Sequence, residues 1–189
     1  MSDGIALYHE FIGGNERALQ RLIELYGQGL LRFIYGYVRD EGLAEDILSE
    51  TFIQIYQKRK FRDTGKASFK TYLYTVARNK SLNALKKRKR KKEVSLENIS
   101  RETQAFFVGE DVEDATERKA RATILHKALN ALKREYREVL LLRYFDGLSP
   151  ERIAVITRRG KKQVYNLLTR GKAALKTQLI QMGYTYENF

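Results

Sequence analysis

The chain has 189 residues, no cysteine and a formal net charge of +13. The missing thiol excludes disulfides, thiolate zinc sites and a cysteine nucleophile, and no apolar run approaches the roughly 20 residues that span a bilayer. The charge favours a polyanion, nucleic acid first, because each phosphate neutralised by Lys or Arg releases condensed counterions.

That charge is unevenly spread. Residues 1–92 carry 19 basic and 10 acidic side chains, residues 93–121 carry 4 and 8, and residues 122–189 carry 13 and 5. Two basic blocks around an acidic middle predict two small domains, 1–92 and 122–189, joined by a flexible acidic linker, 93–121. The N-terminus MSDGIALYHE lacks the basic-then-apolar order of a secretory signal, so the expected location is cytoplasmic.

In chain order, nearly every patterned segment has helical periodicity and none alternates long enough for a sheet, so the expected fold is all-α. Asn15 is placed to cap a helix whose apolar residues Ala18, Leu19, Leu22, Ile23 and Tyr26 continue through Leu30, Leu31, Ile34 and Val38. Gly27, Gly29 and Gly36 should weaken or kink it. A second helix, about 43–58, has Ala44, Ile47, Leu48, Thr51, Phe52, Ile55 and Tyr56 on one face and Glu45, Asp46, Ser49 and Glu50 opposite. Gly65 and Asp63 mark a loop over 58–68, with Ser68 capping a third helix whose buried stripe is Phe69, Tyr72, Leu73, Val76 and Ala77. That helix ends in the basic run 86–92, which serves either as a solvated end or as an electrostatic contact.

The acidic stretch lacks sustained periodicity, although Phe106, Phe107 and Val108 are out of place in a purely solvated tether. From about Thr123, the residues Leu125, Leu129, Leu132, Tyr136, Val139, Leu140 and Tyr144 resume one helical stripe ending at Asp146 and Gly147. Ser149 and Pro150 then open a short helix with Ile153, Ala154 and Ile156 inward. After a turn at 158–160, Val164, Leu167, Leu168, Gly171, Leu175 and Leu179 share one face of a long helix.

The last two helices form a helix-turn-helix pattern: apolar residues pin the second helix while Lys161, Lys162, Gln163, Tyr165, Asn166 and Arg170 face outward near its start. Amide side chains can pair bidentately with adenine, and Arg or Lys can take guanine or phosphate in the major groove. In the N-terminal half the third helix carries aromatics and cations together, Phe69, Tyr72 and Tyr74 with Lys70, Arg78 and Lys80, and Phe61 lies in the loop before it. Aromatic faces stack unpaired bases while cations follow the backbone, which suits single-stranded DNA. Phe69, Tyr72 and Leu73 belong to the core stripe, whereas Tyr74, Asn79 and Asn83 fall off it.

AEDILSETFIQIYQ (44–57), SFKTYLYTVARNKSLNALKKRKR (68–90) and LNALKREYREVLLLRYFDGLSPERIA (129–154), followed by the helix-turn-helix, resemble the bacterial sigma-70 family of RNA polymerase sigma factors, in its extracytoplasmic function (ECF) group. The resemblance implies a region-2 module that holds the coiled coil of the polymerase largest subunit through Asp46, Glu50, Thr51 and Phe52. It implies recognition and opening of the downstream promoter element, −10, by the loop and third helix, with Phe61, Tyr74, Arg78, Asn79, Asn83, Lys86, Lys87 and Arg88 as contacts. It also implies a region-4 helix-turn-helix that reads the upstream element, −35, through Lys161, Lys162, Gln163, Tyr165, Asn166 and Arg170, its earlier helices resting on the polymerase flap. The linker would then thread toward the RNA exit path, and an anti-sigma factor would be a further partner. The protein would work in the bacterial cytoplasm, associated with the nucleoid when active.

Some positions depart from the family's pattern. Arg158, Arg159 and Gly160 replace its usual glycine, aliphatic residue and Ser-type cap; Tyr165 and Leu167 stand where basic residues are common. Lys133 replaces a proline, and Asn83 an aspartate.

Other functions fit less of the chain. An autonomous helix-turn-helix regulator leaves the N-terminal half unexplained, and an RNA-binding structural protein would lack promoter specificity. An enzyme finds little support: His9 and His126 are isolated, no HExxH or phosphate-loop motif occurs, and Glu45, Asp46 and Glu50 crowd one solvated face. The expectation is a transcription factor with no catalytic residue, metal or cofactor.

Overall fold

Among the described residues the periodicity is realised as eight α-helices: α1 (Asp3–Ile12), α2 (Glu16–Val38), α3 (Glu41–Lys58), α4 (Phe69–Lys92), α5 (Ala115–Ala131), α6 (Arg134–Leu140), α7 (Pro150–Thr157) and α8 (Lys161–Gln181). A computed structural model of the chain describes residues 3–59, 61, 68–92 and 115–184, and among these there is no strand. Most of the 58–68 loop and the linker from 93 to 114, with Phe106, Phe107 and Val108, lie outside the described residues.

Local chemistry sets the helix starts. Asp40 accepts the Leu43 N–H at 3.1 Å and opens α3 slightly earlier than the apolar stripe suggests. Ser68 accepts the Thr71 N–H at 3.3 Å, and Ser149 accepts that of Arg152 at 3.4 Å with Pro150 in the first turn. Each such cap stabilises its helix by about 1 kcal/mol. Asn15 occupies the cap position of α2, but its side-chain amide turns back to Glu10 instead. The C-termini are less ordinary: Arg39, Arg59 and Arg158 close α2, α3 and α7 in the left-handed conformation, at φ of 52°, 42° and 54°. Glycine usually takes that position, since a Cβ there is crowded.

Two expectations are corrected. The apolar stripe from Leu125 to Tyr144 is not one helix. Lys133 swings to extended geometry (φ −54°, ψ 139°), the chain restarts as α6, and α6 widens into a π turn over Leu141–Phe145. Arg137 makes the break tolerable by donating to the Leu132 carbonyl at 3.0 Å, one of the orphan acceptors at the end of α5. The glycines, second, do not break α2, which runs continuously for 23 residues. In addition, α1 forms ahead of the first helix read from the sequence, burying Leu7, Tyr8 and Phe11, and α5 begins inside the span expected to be linker.

Within 1–92, α1, α2, α3 and α4 bury Leu22, Leu30, Phe33, Ile55, Phe69 and Leu73 almost completely. At about 1.5–3 kcal/mol per large apolar side chain, this burial is the main term holding the bundle. In the C-terminal half, α5, α6, α7 and α8 bury Leu129, Val139, Leu142, Ile153, Ile156 and Val164. The two cores are continuous: α7 packs on α4 and α6 on α2, so the halves form one body.

Candidate nucleic-acid interface

The start of α8 presents the polar set read from the sequence. Val164, Leu167 and Leu168 are buried, which turns Lys161, Lys162, Gln163, Tyr165, Asn166 and Arg170 outward, all six exposed. Gly160 caps the helix and Arg158 makes the preceding turn. Arg159, in place of the family's aliphatic residue, reaches from the turn to Glu138 at 2.7 Å. Lys161 is engaged locally: it pairs with Glu151 at 2.5 Å, and that bond holds the Glu151 carboxyl down at about 2. Both side chains are exposed, so the pair is weak and a phosphate can displace it.

The downstream-element candidates fall into three environments. Asn83, Lys86 and Lys87 are exposed, Asn79 is half-buried, and Arg88 is half-buried beside Asp40 at 3.6 Å. Phe61 is buried in an aromatic cluster: its ring meets Tyr8 edge-on at 5.4 Å, Phe69 at 5.6 Å and Tyr72 at 5.5 Å, and its N–H donates to the Tyr8 hydroxyl at 3.1 Å. Tyr74 and Arg78 lie under the C-terminal half. Tyr74 is 1% exposed, which corrects its placement off the buried stripe. Its ring packs on Phe33 of α2, 5.2 Å between centroids, and its hydroxyl donates to Asp146 of the C-terminal half at 2.5 Å. Burial first, then the Asp146 carboxylate, pushes its phenol well above the ordinary value.

Arg78 donates to Glu138 at 2.6 Å and to the Tyr37 hydroxyl at 3.1 Å, and Tyr37 donates to the same carboxylate. Burial, with Glu138 next, drives the Tyr37 phenol upward. Asp146 also sits beneath Lys70, whose ammonium donates to its backbone carbonyl at 2.5 Å. Desolvation raises the Asp146 carboxyl from 3.8 to about 6, against the lowering effects of Tyr74, Lys70 and Arg32.

Of the four residues expected to hold the polymerase, Asp46 and Glu50 are exposed on α3, Glu50 pairing with Lys80 at 2.9 Å. Thr51 is fully buried with its hydroxyl bonded to the Ile47 carbonyl at 2.7 Å, and Phe52 is nearly so. Beside them lies an apolar groove that the sequence reading missed, lined by Leu19, Ile23, Leu48, Phe52, Ile53 and Tyr56. Ile53 is 52% exposed and Ile23 40%. The available signal was Ile53 itself, a large aliphatic residue off the stripe of its helix. Among the described residues no cluster of His, Asp or Glu has the makings of a metal site, and no helix is long and apolar enough to cross a membrane.

Comparison with known proteins fits this division. The family model for Sigma-70 region 2 matches residues 22–91, and that for Sigma-70 region 4 matches residues 122–175. The N-terminal half, which an autonomous helix-turn-helix regulator leaves unexplained, is thereby accounted for. The RNA polymerase sigma-H factor of Pseudomonas aeruginosa is 31% identical over 174 residues, 88% of each chain. The ECF RNA polymerase sigma factor SigW of Bacillus subtilis is 26% identical, over 88% of this chain and 91% of its own. In fold, the chain is similar to the sigma factor RpoE of Bartonella quintana, solved in complex with the anti-sigma factor NepR, with a TM-score of 0.65, 21% identity, and 85% of this chain and 95% of that one covered. With both conserved regions in order and a relative matched along most of its length, this chain belongs to the sigma-70 family of RNA polymerase sigma factors, in the ECF group.

Proposed function

We propose that the chain directs core RNA polymerase to promoters by dividing the work between its two faces, recognising DNA and performing no chemistry of its own. The helix α8 enters the major groove of the upstream element, where Gln163 and Asn166 read base edges while Lys161, Lys162 and Arg170 take phosphates. The loop and α4 handle the downstream element, with Phe61 and Tyr74 near an extruded base, Asn79 and Asn83 as polar contacts, and the run after Lys86 gripping duplex phosphates just upstream. The polymerase coiled coil docks on α3, which carries the exposed carboxylates of Asp46 and Glu50 and one wall of the apolar groove at Ile53 and Tyr56; a helix with both carboxylates and exposed aliphatic surface suits a basic, partly apolar helix pair. An anti-sigma factor is a fitting regulatory partner, given the complex in which RpoE was solved. The site of action is the bacterial cytoplasm, on the nucleoid when active.

The observation that carries this reading is the start of α8: six polar or cationic side chains are exposed on one face while Val164, Leu167 and Leu168 anchor the other. Run-off transcription with bacterial core enzyme on a genomic fragment library tests it. Discrete start sites should appear only when the chain is added. Transcription with the same random starts in its presence and absence would overturn the reading.

A further inference from the structure

Three helices meet at Arg159. Its N–H donates to the Ala154 carbonyl at 3.1 Å, which ties it to the end of α7. Its guanidinium crosses to α6 and meets Glu138 Oε2 at 2.7 Å. Only Gly160 separates it from Lys161, the first residue of α8. The Glu138 side chain is 2% exposed and that of Arg159 18%, so salt screens this pair far less than a surface one. The carboxylate divides its oxygens: Oε1 serves Arg78 and Tyr37, and Oε2 serves Arg159.

The local chemistry at the start of α8 does little to fix it. Gly160 stands at the cap position with no side chain to accept an N–H, and the first turn holds no acidic residue. Lys161 and Lys162 place positive charge at the positive end of the helix dipole. The Lys161–Glu151 pair is exposed and correspondingly weak. Val164 is buried, but burial of an apolar side chain has no preferred direction. Farther along, α8 lies against α6 at Gly171, where a Cβ would meet Leu140 and Tyr136 at 3.4 Å. The helix is thus held to α6 by close contact at Gly171 and by a directional, charge-assisted bond at Arg159. From Gly171 back to Gln163 it runs about 12 Å, at 1.5 Å per residue. A tilt of about 5° about Gly171 therefore moves the Gln163 amide by about 1 Å, more than the roughly 0.5 Å range over which a hydrogen bond holds.

We infer that Arg159 is a positioning residue for the recognition helix: its ion pair with Glu138 sets the angle at which α8 delivers Gln163 and Asn166, and so governs base preference at the upstream element. It acts through α8 and makes no base contact of its own. The inference rests on the reading of α8 as the helix that enters the upstream element. An aliphatic residue at this place would anchor the turn by burial alone; the ion pair adds a direction.

The test compares the parent holoenzyme with Arg159→Met, which keeps a long side chain and removes the guanidinium. Glu138 retains Arg78 and Tyr37 in that variant, so its charge is not left alone. Binding across single-base variants of the upstream element should show the preference for the correct base, at the positions read by Gln163 and Asn166, falling about tenfold. The salt slope contributed by Lys161, Lys162 and Arg170 should keep its parental value. Arg159→Lys keeps the charge without the planar fork; its preference should fall between the two, and it serves alone if Arg159→Met fails to fold by circular dichroism. A folded variant with the parental preference overturns the inference, as does a loss of affinity shared equally by all bases.

The tilt also has a readout without DNA. Because the chain has no cysteine, nitroxides can be placed on Arg134→Cys in α6 together with Lys162→Cys or Lys172→Cys in α8, all exposed. Arg159→Met should broaden the first distance distribution and leave the second, beside Gly171, unchanged; a first distribution identical to the parent's overturns the inference. Core-dependent transcription separates the two readings. A distance that responds to Arg159 without promoter-specific initiation by the parent defeats the promoter reading alone. A parent that initiates at discrete sites while preference and distances ignore Arg159 defeats the positioning role alone.

Discussion

The start of α8 and the middle of α4 are both helical surfaces that mix cations with hydrogen-bonding side chains, and the sequence describes them in similar terms. They differ in what lies above them. On α8, Lys162, Gln163 and Asn166 stand exposed; on α4, Tyr74 and Arg78 are engaged by Asp146 and Glu138 of the opposite domain. The difference teaches that periodicity identifies the face a helix turns to its own bundle but not a second face covered by a distant part of the chain.

The largest effect expected on the exposed side comes from the basic end of α4. Replacing the five residues 86–90 with Ala should flatten the salt dependence of promoter binding by the holoenzyme by about one unit of slope per lost phosphate contact. Because Arg88 already pairs with Asp40 at 3.6 Å, its share should be smaller than those of Lys86 and Lys87. An unchanged slope in a salt titration would assign the run to solvated surface. Next in size, Gln163→Ala or Asn166→Ala should relax base preference in the upstream element by about 1–3 kcal/mol each, if the contacts are bidentate. Binding measured across single-base variants of that element checks this: loss spread evenly over all positions would mean that these amides only touch the backbone.

How legible each surface was follows from the range of the forces that shape it. The order of the main helices, the cap at Ser149, the turn at 158–160 and the outward set on α8 all follow from local rules about spacing and capping. The break at Lys133 did not, because nothing in Leu132 or Lys133 forbids a helix; the restart depends on Arg137 reaching Leu132 and Gly36. Gly29 and Gly36 were read as weaknesses of α2 because a helix-propensity argument considers one helix at a time, whereas their use lies with Asp146 and Leu141, more than a hundred residues away. The groove at Ile53 was hidden for a related reason: stripe analysis collects the apolar residues that agree with one another and passes over the one that does not. The burial of Thr51, placed on the apolar face but also given a contact role, shows the reverse error of assigning one side chain to two surfaces.

A smaller effect distinguishes the covered surface by pH. In the folded chain Asp146 titrates at about 6 instead of 3.8, first because it is desolvated; Tyr74 and Lys70 of α4 and Arg32 of α2 face it and pull the other way, while Arg152 of α7 lies near Lys70. A carboxyl raised on folding binds its proton more tightly there, so its contribution is fully present below 3.8 and is lost as pH rises through about 6. Lowering pH from 7 to 5 should therefore strengthen the contribution of Asp146 to folding, by roughly 1 kcal/mol since each pH unit within that window is worth at most about 1.4. Urea melts of the parent and of Asp146→Asn at both pH values check this, because the stability difference between them should change by that amount. A difference that stays constant would mean that Asp146 does not titrate in that window.

The smallest effect concerns the edge of α4 that no second domain covers. Tyr8 of α1 is 1% exposed, stacked on Phe69 at 4.7 Å between ring centroids, and accepts the Phe61 N–H at 3.1 Å. A helix ahead of the first apolar stripe thus fixes the backbone of a residue assigned to the promoter loop. Tyr8→Phe keeps the ring contacts and removes only the acceptor, which leaves a buried N–H unpaired at a cost of about 1–3 kcal/mol. Because Phe61 can shift to reach water, the lower end of that range is expected for global stability. The local consequence should be sharper: amide exchange at Phe61 should accelerate while exchange in the middle of α2 stays at the parental rate. Opening of the downstream element should slow, with binding to the upstream element unaffected, since α8 shares no contact with Tyr8. If exchange accelerates across the whole bundle instead, Tyr8 is an ordinary core residue, and the tether to Phe61 has no separate part in positioning the loop.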